Sequence, residues 1–356
     1  MIRLERRKAP STAMLWLTPV LAVVLTMIFG GILFALLGKD PFAAIQMIFI
    51  EPFTDSYSQR QLLIKGGPLI LIAVGLSLGF RAGVWNIGAE GQFIMGAIGG
   101  GAVGLALYGT PGIWVLPLMA LTGAFCGFAW AMIPAFLRVK FNANEILVSL
   151  MLVYVAENFL RAMVTGALKN PDGRGFPESR SLADYASAEM PMLIKSAGLN
   201  VGGLAAIGAV VLAYALLARH RLGYQIKLTG QAPRAARFSG VKPGVIVAAT
   251  MGISGALAGV AGLFELVGPA GKLTTNFPLG YGFTAIIVAF LGRLNPIGVF
   301  LAGILMAATY VGGETVQFAL QVPAAAIRVF QGMLLFFLLA VDVLVAYRFV
   351  LKKEAK

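Results

Sequence analysis

Long apolar runs recur along the chain, separated by short polar breaks, and most are about as long as a helix needs to cross a bilayer. Ten of them are predicted as membrane helices: 14–37, 62–80, 92–109, 113–136, 144–164, 201–218, 245–267, 277–292, 296–312 and 325–346. Two longer polar stretches interrupt this rhythm. One spans 165–200, and the other is a basic island over 219–244. Within the second, Pro233 suits a first helical position, where its missing N–H costs nothing. Gly240 suits the stop, with Pro243 beyond it. Arg234 and Arg237 lie three apart between them, on one face of a helix of about two turns. The expected fold class is an all-α polytopic membrane protein, one transmembrane domain over 1–356.

Ten crossings place both ends on the same side. Basic residues decide which side: Arg3, Arg6, Arg7 and Lys8 precede the first run, and Arg348, Lys352, Lys353 and Lys356 follow the last. With those ends and 219–244 in the cytoplasm, Lys and Arg favour the inside by roughly two to one, as the positive-inside tendency requires. The first run is too long for the apolar core of a signal peptide and reads as a retained span. Five spans precede 165–200 and five follow it, so the halves could form an inverted repeat.

Two segments are too polar or too broken for lipid. Between the second and third spans runs Arg81-Ala-Gly-Val-Trp-Asn-Ile-Gly-Ala-Glu-Gly-Gln92, and before the eighth runs Gly268-Pro-Ala-Gly-Lys-Leu-Thr-Thr-Asn-Phe-Pro-Leu-Gly-Tyr-Gly282. Irregular backbone survives at depth only where it lines protein or water, so both are pathway candidates beside the alternative of ordinary interfacial turns. Asn86, Glu90 and Gln92 lead the candidates, with Glu145, Asn158 and Asn276 completing the set. Competing explanations exist for some of these. Asn144 and Glu145 can cap a helix start. Glu157 and Arg161, four apart, can neutralise one another.

Composition narrows the chemistry. The 356 residues are 59% apolar and 12% charged, with a mean hydropathy of +0.86. The net charge of +13 flanks apolar spans and is read as membrane orientation, with no nucleic-acid partner. One cysteine, Cys126, and one histidine, His220, leave no disulfide within the chain and no histidine cluster for a metal. Of the 44 glycines, Gly96, Gly100 and Gly104 repeat every four residues, as do Gly123 and Gly127. Gly252, Gly255, Gly259 and Gly262 form a further stripe, and such stripes let membrane helices approach closely. Trp16 and Trp114 fall near span ends and read as interfacial anchors. No phosphate-binding loop of the Gly-x-x-x-x-Gly-Lys-Ser/Thr type occurs, so ATP-driven work would need a docked partner. The competing readings are an ion-coupled secondary transporter, with Glu90, Glu145 or Glu157 as carrier, and a membrane scaffold.

Five blocks carry a family resemblance: Gly79 to Phe93, Asn144 to Leu152, Leu168 to Pro177, Gly223-Tyr224 through Pro233 to Gly240, and Gly280 to Arg293. The chain resembles permease subunits of bacterial ABC importers, on the nucleoside (basic membrane lipoprotein-associated) branch of the ribose and branched-chain amino acid permease family. The resemblance implies a ten-span fold of the vitamin B12-importer type in the cytoplasmic membrane, N-in and C-in, and the import of nucleosides or of simple sugars such as ribose. It implies that Pro233, Arg234, Arg237, Phe238 and Gly240 belong to a helix that docks on a cytoplasmic ATPase, which binds the ATP and magnesium; no cofactor is expected in this chain. It further implies a second permease subunit, forming a heterodimer, and an extracytoplasmic substrate-binding lipoprotein that the 165–200 loop would meet.

Overall fold

The computed structural model describes residues 2–7, 11–173, 175–194, 199–277 and 280–351. Lys8, Arg174, Lys195, Lys352, Lys353 and Lys356 lie outside the described residues, as does the side chain of Trp16. The helices in chain order are α1 (Thr12–Leu36), α2 (Pro41–Phe49), α3 (Glu51–Thr54), α4 (Ser56–Arg81), α5 (Ala89–Ala106), α6 (Val115–Phe141) and α7 (Glu145–Thr165). They continue as α8 (Val201–Arg219), α9 (Arg221–Gln231), α10 (Pro233–Phe238), α11 (Pro243–Glu265), α12 (Tyr281–Leu291), α13 (Pro296–Leu320) and α14 (Ala324–Ala346). A π-turn over Leu266–Ala270 extends α11. Among the described residues, strands form two small antiparallel pairs, β1 (Ile2–Arg6) with β4 (Tyr347–Leu351) and β2 (Met192–Ile194) with β3 (Leu199–Asn200). The protein is an all-α polytopic membrane protein.

Each of the ten predicted runs contains a helix, but they are not alike. Eight helices among the described residues are long and apolar enough to cross a membrane. The predicted span 277–292 is a helix of only 11 residues, because Gly280 in a left-handed conformation (φ +78°) delays its start. At about 1.5 Å per residue it cannot cross the apolar layer by itself. Two short helices, α2 and α3, were not expected from the sequence. Each has proline in its first turn, and Asp40 caps α2 through the Phe42 N–H at 2.9 Å.

The chain divides into two compact units. The first, residues 1–58 and 308–356, pairs the two ends of the sequence. Phe34, Ile48, Val316, Ile327 and Phe330 form its apolar core. Gly30 of α1 lies under the Phe330 ring, where a Cβ would overlap it. β1 and β4 join the termini in register Ile2↔Leu351 to Arg6↔Tyr347.

The second unit, residues 59–307, holds the bundle that matters for function. α4 is its most enclosed long helix, buried in protein over most of its length, whereas most residues of α6 and α7 are half-buried or exposed. α5, α6 and α11 meet through the predicted glycine stripes. Gly96 faces the Gly259 backbone, Gly123 and Gly127 face Gly255 and Gly259, and Gly262 faces Phe93. At these glycines the backbones come into direct contact. Dispersion between close backbones holds helices together where lipid supplies no hydrophobic drive. Replacing Gly259 by alanine should therefore cost about 1–3 kcal/mol through overpacking, whereas Gly208→Ala, with open space at its Cβ position, should be near neutral. Thermal unfolding in detergent distinguishes them, and equal midpoints would contradict this packing.

Candidate functional site

α4 ends at Arg81 and α5 begins at Ala89, leaving an unwound segment between them. Six of its peptide N–H groups, those of residues 82–85, 87 and 88, find partners. The Ala82 N–H donates to Gly79, that of Gly83 to Phe80 and that of Val84 to Gly79, which closes the end of α4. Beyond it the donors turn to side chains. The Trp85 N–H donates to Glu145 Oε1 at 3.4 Å, that of Ile87 to Ser149 Oγ at 3.3 Å, and that of Gly88 to Asn86 Oδ1 at 3.1 Å. Both outside acceptors come from the first turns of α7.

Asn86 and Gln92 form a reciprocal amide pair. Asn86 Nδ2 donates to Gln92 Oε1 at 2.9 Å, and Gln92 Nε2 donates to Asn86 Oδ1 at 3.0 Å. Asn86 Nδ2 also reaches Ser254 Oγ on α11 at 3.1 Å. Both amides are 1% exposed. Glu90, equally buried, accepts from the Gly280 and Gly282 N–H groups at 2.9 and 2.5 Å. It thus places a carboxylate on the N-terminus of α12, where the orphan N–H groups and helix dipole favour negative charge.

Glu145 lies at the opposite wall. Asn144 caps α7 as expected, accepting from Ile146 and Leu147, while Glu145 pairs with Arg138 near the end of α6. Asn142, in a left-handed conformation (φ 53°), turns the chain between α6 and α7 and brings that pair together.

Asn86, Glu90, Gln92 and Glu145 thus surround one unwound segment, joined by Ser149 and Ser254. The two serines carried no sequence signal, since their spacing from Asn86 is not local. Asn158 and Asn276 lie elsewhere. Asn158 is exposed on α7, donating to the Tyr154 carbonyl, and Asn276 is exposed in the turn before α12. Among the described residues no ion pair joins Glu157 to Arg161. Arg161 instead points one turn back, to Asn158 Oδ1 at 3.4 Å.

The basic island also differs from its expected form. It is a helix pair, with α9 of 11 residues preceding α10. Pro233 is the first residue of α10, and the end is closed by Val241 N–H to Ala236 O and Gly240 N–H to Arg237 O, with Gly240 at φ +80°. Ala236 is buried, while Arg234, Arg237 and Phe238 face outward. Phe238 is 99% exposed.

On the far flank, the 165–200 segment is anchored. Lys272 pairs with Glu178 at 2.7 Å, Tyr185 Oη donates to the Leu107 and Thr110 carbonyls, and the Arg180 guanidinium lies 4.1 Å from the Tyr108 ring centre.

Residues 59–339 match the family model described as branched-chain amino acid transport system / permease component. The chain belongs to this permease family. It is 35% identical to a glucose ABC transporter permease of Haloferax volcanii, over 98% of this chain and 93% of that one. It is also 26% identical to a guanosine ABC transporter permease of Bacillus subtilis, over 96% and 97% of the two chains. A nucleoside ABC transporter permease of Lactococcus lactis is 28% identical over 83% of each. No solved structure matches it. The permease is thus of the ABC importer type, on the branch that includes these named nucleoside and glucose permeases, and is a multi-pass protein of the cytoplasmic membrane.

In this permease, the buried amide pair makes a testable demand on stability. Asn86→Ala strands the Gln92 amide and the Gly88 N–H and should cost about 1–3 kcal/mol. Ser254→Ala should cost less, because Asn86 Nδ2 keeps its bond to Gln92. Detergent unfolding midpoints in the reverse order would refute this account of the segment.

Proposed function

We propose that the permease carries a neutral, hydroxyl-bearing solute inward, a nucleoside first among the candidates, and that a separate ATPase drives it by docking at α9 and α10. The observation that carries the docking half is α10 itself. It is a short helix begun by Pro233 and closed at its C-terminal end, buried through Ala236, and presents two arginines and a 99% exposed phenylalanine. Arginines suit acidic or carbonyl groups on a partner, and the ring suits an apolar recess. In this reading 219–244 and both termini are cytoplasmic, and a second permease subunit and an extracytoplasmic binding lipoprotein complete the transporter. The anchored 165–200 segment is the surface offered to the lipoprotein.

The substrate reading rests on the chemistry at the unwound segment. Asn86, Gln92, Ser149 and Ser254 are neutral donors and acceptors, and Glu90 can accept from hydroxyls. A phosphate or carboxylate is disfavoured, because no cluster of described cations stands among these groups: Arg138 is taken by Glu145, and Arg81 gives its Nε to the Leu294 carbonyl. For a ligand to use them, the amide pair must exchange its internal partners for ligand groups during transport. A simple sugar is the second reading, favoured by the glucose permease of Haloferax volcanii at 35% identity.

Replacing Arg234 and Arg237 together by glutamate should abolish co-purification with the ATPase while leaving the permease inserted and folded. Retained association and uptake in that double variant would overturn the docking assignment. Uptake of labelled nucleosides and of glucose into cells lacking other routes decides the substrate. Transport of a nucleotide or an organic acid in place of both would overturn the neutral-solute reading.

A further inference from the structure

The short helix α12 is gripped at both ends by residues 80–90. At its N-terminus, the Gly280 and Gly282 N–H groups donate to Glu90, and Gly282 sits so close that a Cβ would overlap the Glu90 backbone. At its C-terminus, Phe290 stacks on Phe80 and Trp85, with ring centres 5.1 and 5.6 Å away. Just past it, Arg81 Nε donates to the Leu294 carbonyl at 2.8 Å. Leu294 and Arg293 are consecutive non-glycine residues in left-handed conformations, at φ 55° and 56°. Such residues persist only where the surroundings over-determine them, and the Arg81 bond is one of those determinants. α12 also packs against α5.

The same residues are held from the other side by α9. Gly230 lies against Arg81, where a Cβ would collide with the Arg81 carbonyl. Ile226, fully buried, shares one apolar cluster with Ala82 and Val84. A continuous path therefore runs from α9 through 81–84 to both ends of α12. Its links are backbone contact, packed side chains and hydrogen bonds.

We propose that α12 is a moving element of the transport cycle, carried as one body with residues 80–90 by displacement of α9, and that Arg81 and Glu90 are its positioning residues. This rests on the docking of an ATPase at α9 and α10 proposed above. A shift of α9 pushes the Arg81 carbonyl through Gly230. The Arg81 side chain and the Phe80–Phe290–Trp85 stack drag the C-terminus of α12, and Glu90 keeps the N-terminus in step. A helix too short to span the apolar layer, preceded by left-handed Gly280, can tilt without stretching a membrane-spanning segment.

The test uses the assembled transporter in lipid nanodiscs, in a Cys126→Ser background. Spin labels replace exposed Lys227 on α9 and Phe283 on α12 in one sample, and Phe283 and Leu121 on α6 in another. The Lys227–Phe283 separation is expected to stay fixed between nucleotide-free and vanadate-trapped states, while the Phe283–Leu121 separation changes. A Lys227–Phe283 change as large as the other, or no change in either, overturns the proposal. In parallel, Arg81→Met should lower substrate moved per ATP hydrolysed by about tenfold, the size of an ordinary coupling energy, and Arg81→Lys should recover part of it. Native coupling in Arg81→Met also overturns the proposal. If Arg81→Met fails to insert, the label distances, which keep Arg81, decide alone. ATPase association in the Arg234→Glu, Arg237→Glu variant separates the two ideas: its loss with native coupling in Arg81→Met leaves docking standing and removes only the clamp.

Discussion

Unwound backbone buried inside a membrane bundle must find a partner for each peptide group, because neither water nor lipid can supply one cheaply. The segment between α4 and α5 answers much of this constraint by borrowing from its neighbours. Glu145 and Ser149 of α7 accept from Trp85 and Ile87, and Asn86 accepts from Gly88 within the segment. Much of the surrounding architecture follows from those bonds. α7 must start where Asn144 caps it, α6 must end where Arg138 can hold Glu145, and α11 must present Ser254 to Asn86.

Meeting these demands needs short distances between helices, which the glycine stripes provide. Gly96, Gly123, Gly127, Gly255 and Gly259 let the backbones of α5, α6 and α11 meet directly. The amide pair and Ser254 lie on two of these helices or just before them, so close packing and polar satisfaction support each other. A side chain inserted at the glycine contact would move Ser254 away from Asn86 as well as overfill the contact.

The polar cluster is thus both a candidate contact for solute and part of the frame. These roles are compatible if the internal bonds are exchanged for ligand bonds as the bundle rearranges. An amide pair suits that exchange, since each side chain offers both donors and an acceptor. Movement of this kind requires the frame to be pushed from outside, and α9 is packed where such a push would be felt first, against Arg81 and Ala82.

The sequence by itself determined the class, the positions of the ten apolar helices, the glycine contacts and a short helix from Pro233 that stops before Gly240. All depend on local rules: run length, spacing of small residues, proline at a first position and glycine just past an end. It also marked Asn86, Glu90 and Gln92, because polar residues in so apolar a chain are conspicuous. Only the tertiary structure decided what they do there. That Glu90 caps a helix 190 positions later, that Ser149 and Ser254 complete the cluster, and that Arg161 turns to Asn158 in place of Glu157 depend on which faces meet across the bundle. The shortness of α12 was equally hidden, since an apolar run reads the same whether or not a left-handed glycine delays its helix. Serine in an apolar run gives no warning, because its hydroxyl is as readily satisfied by its own helix as by a segment brought to it in space.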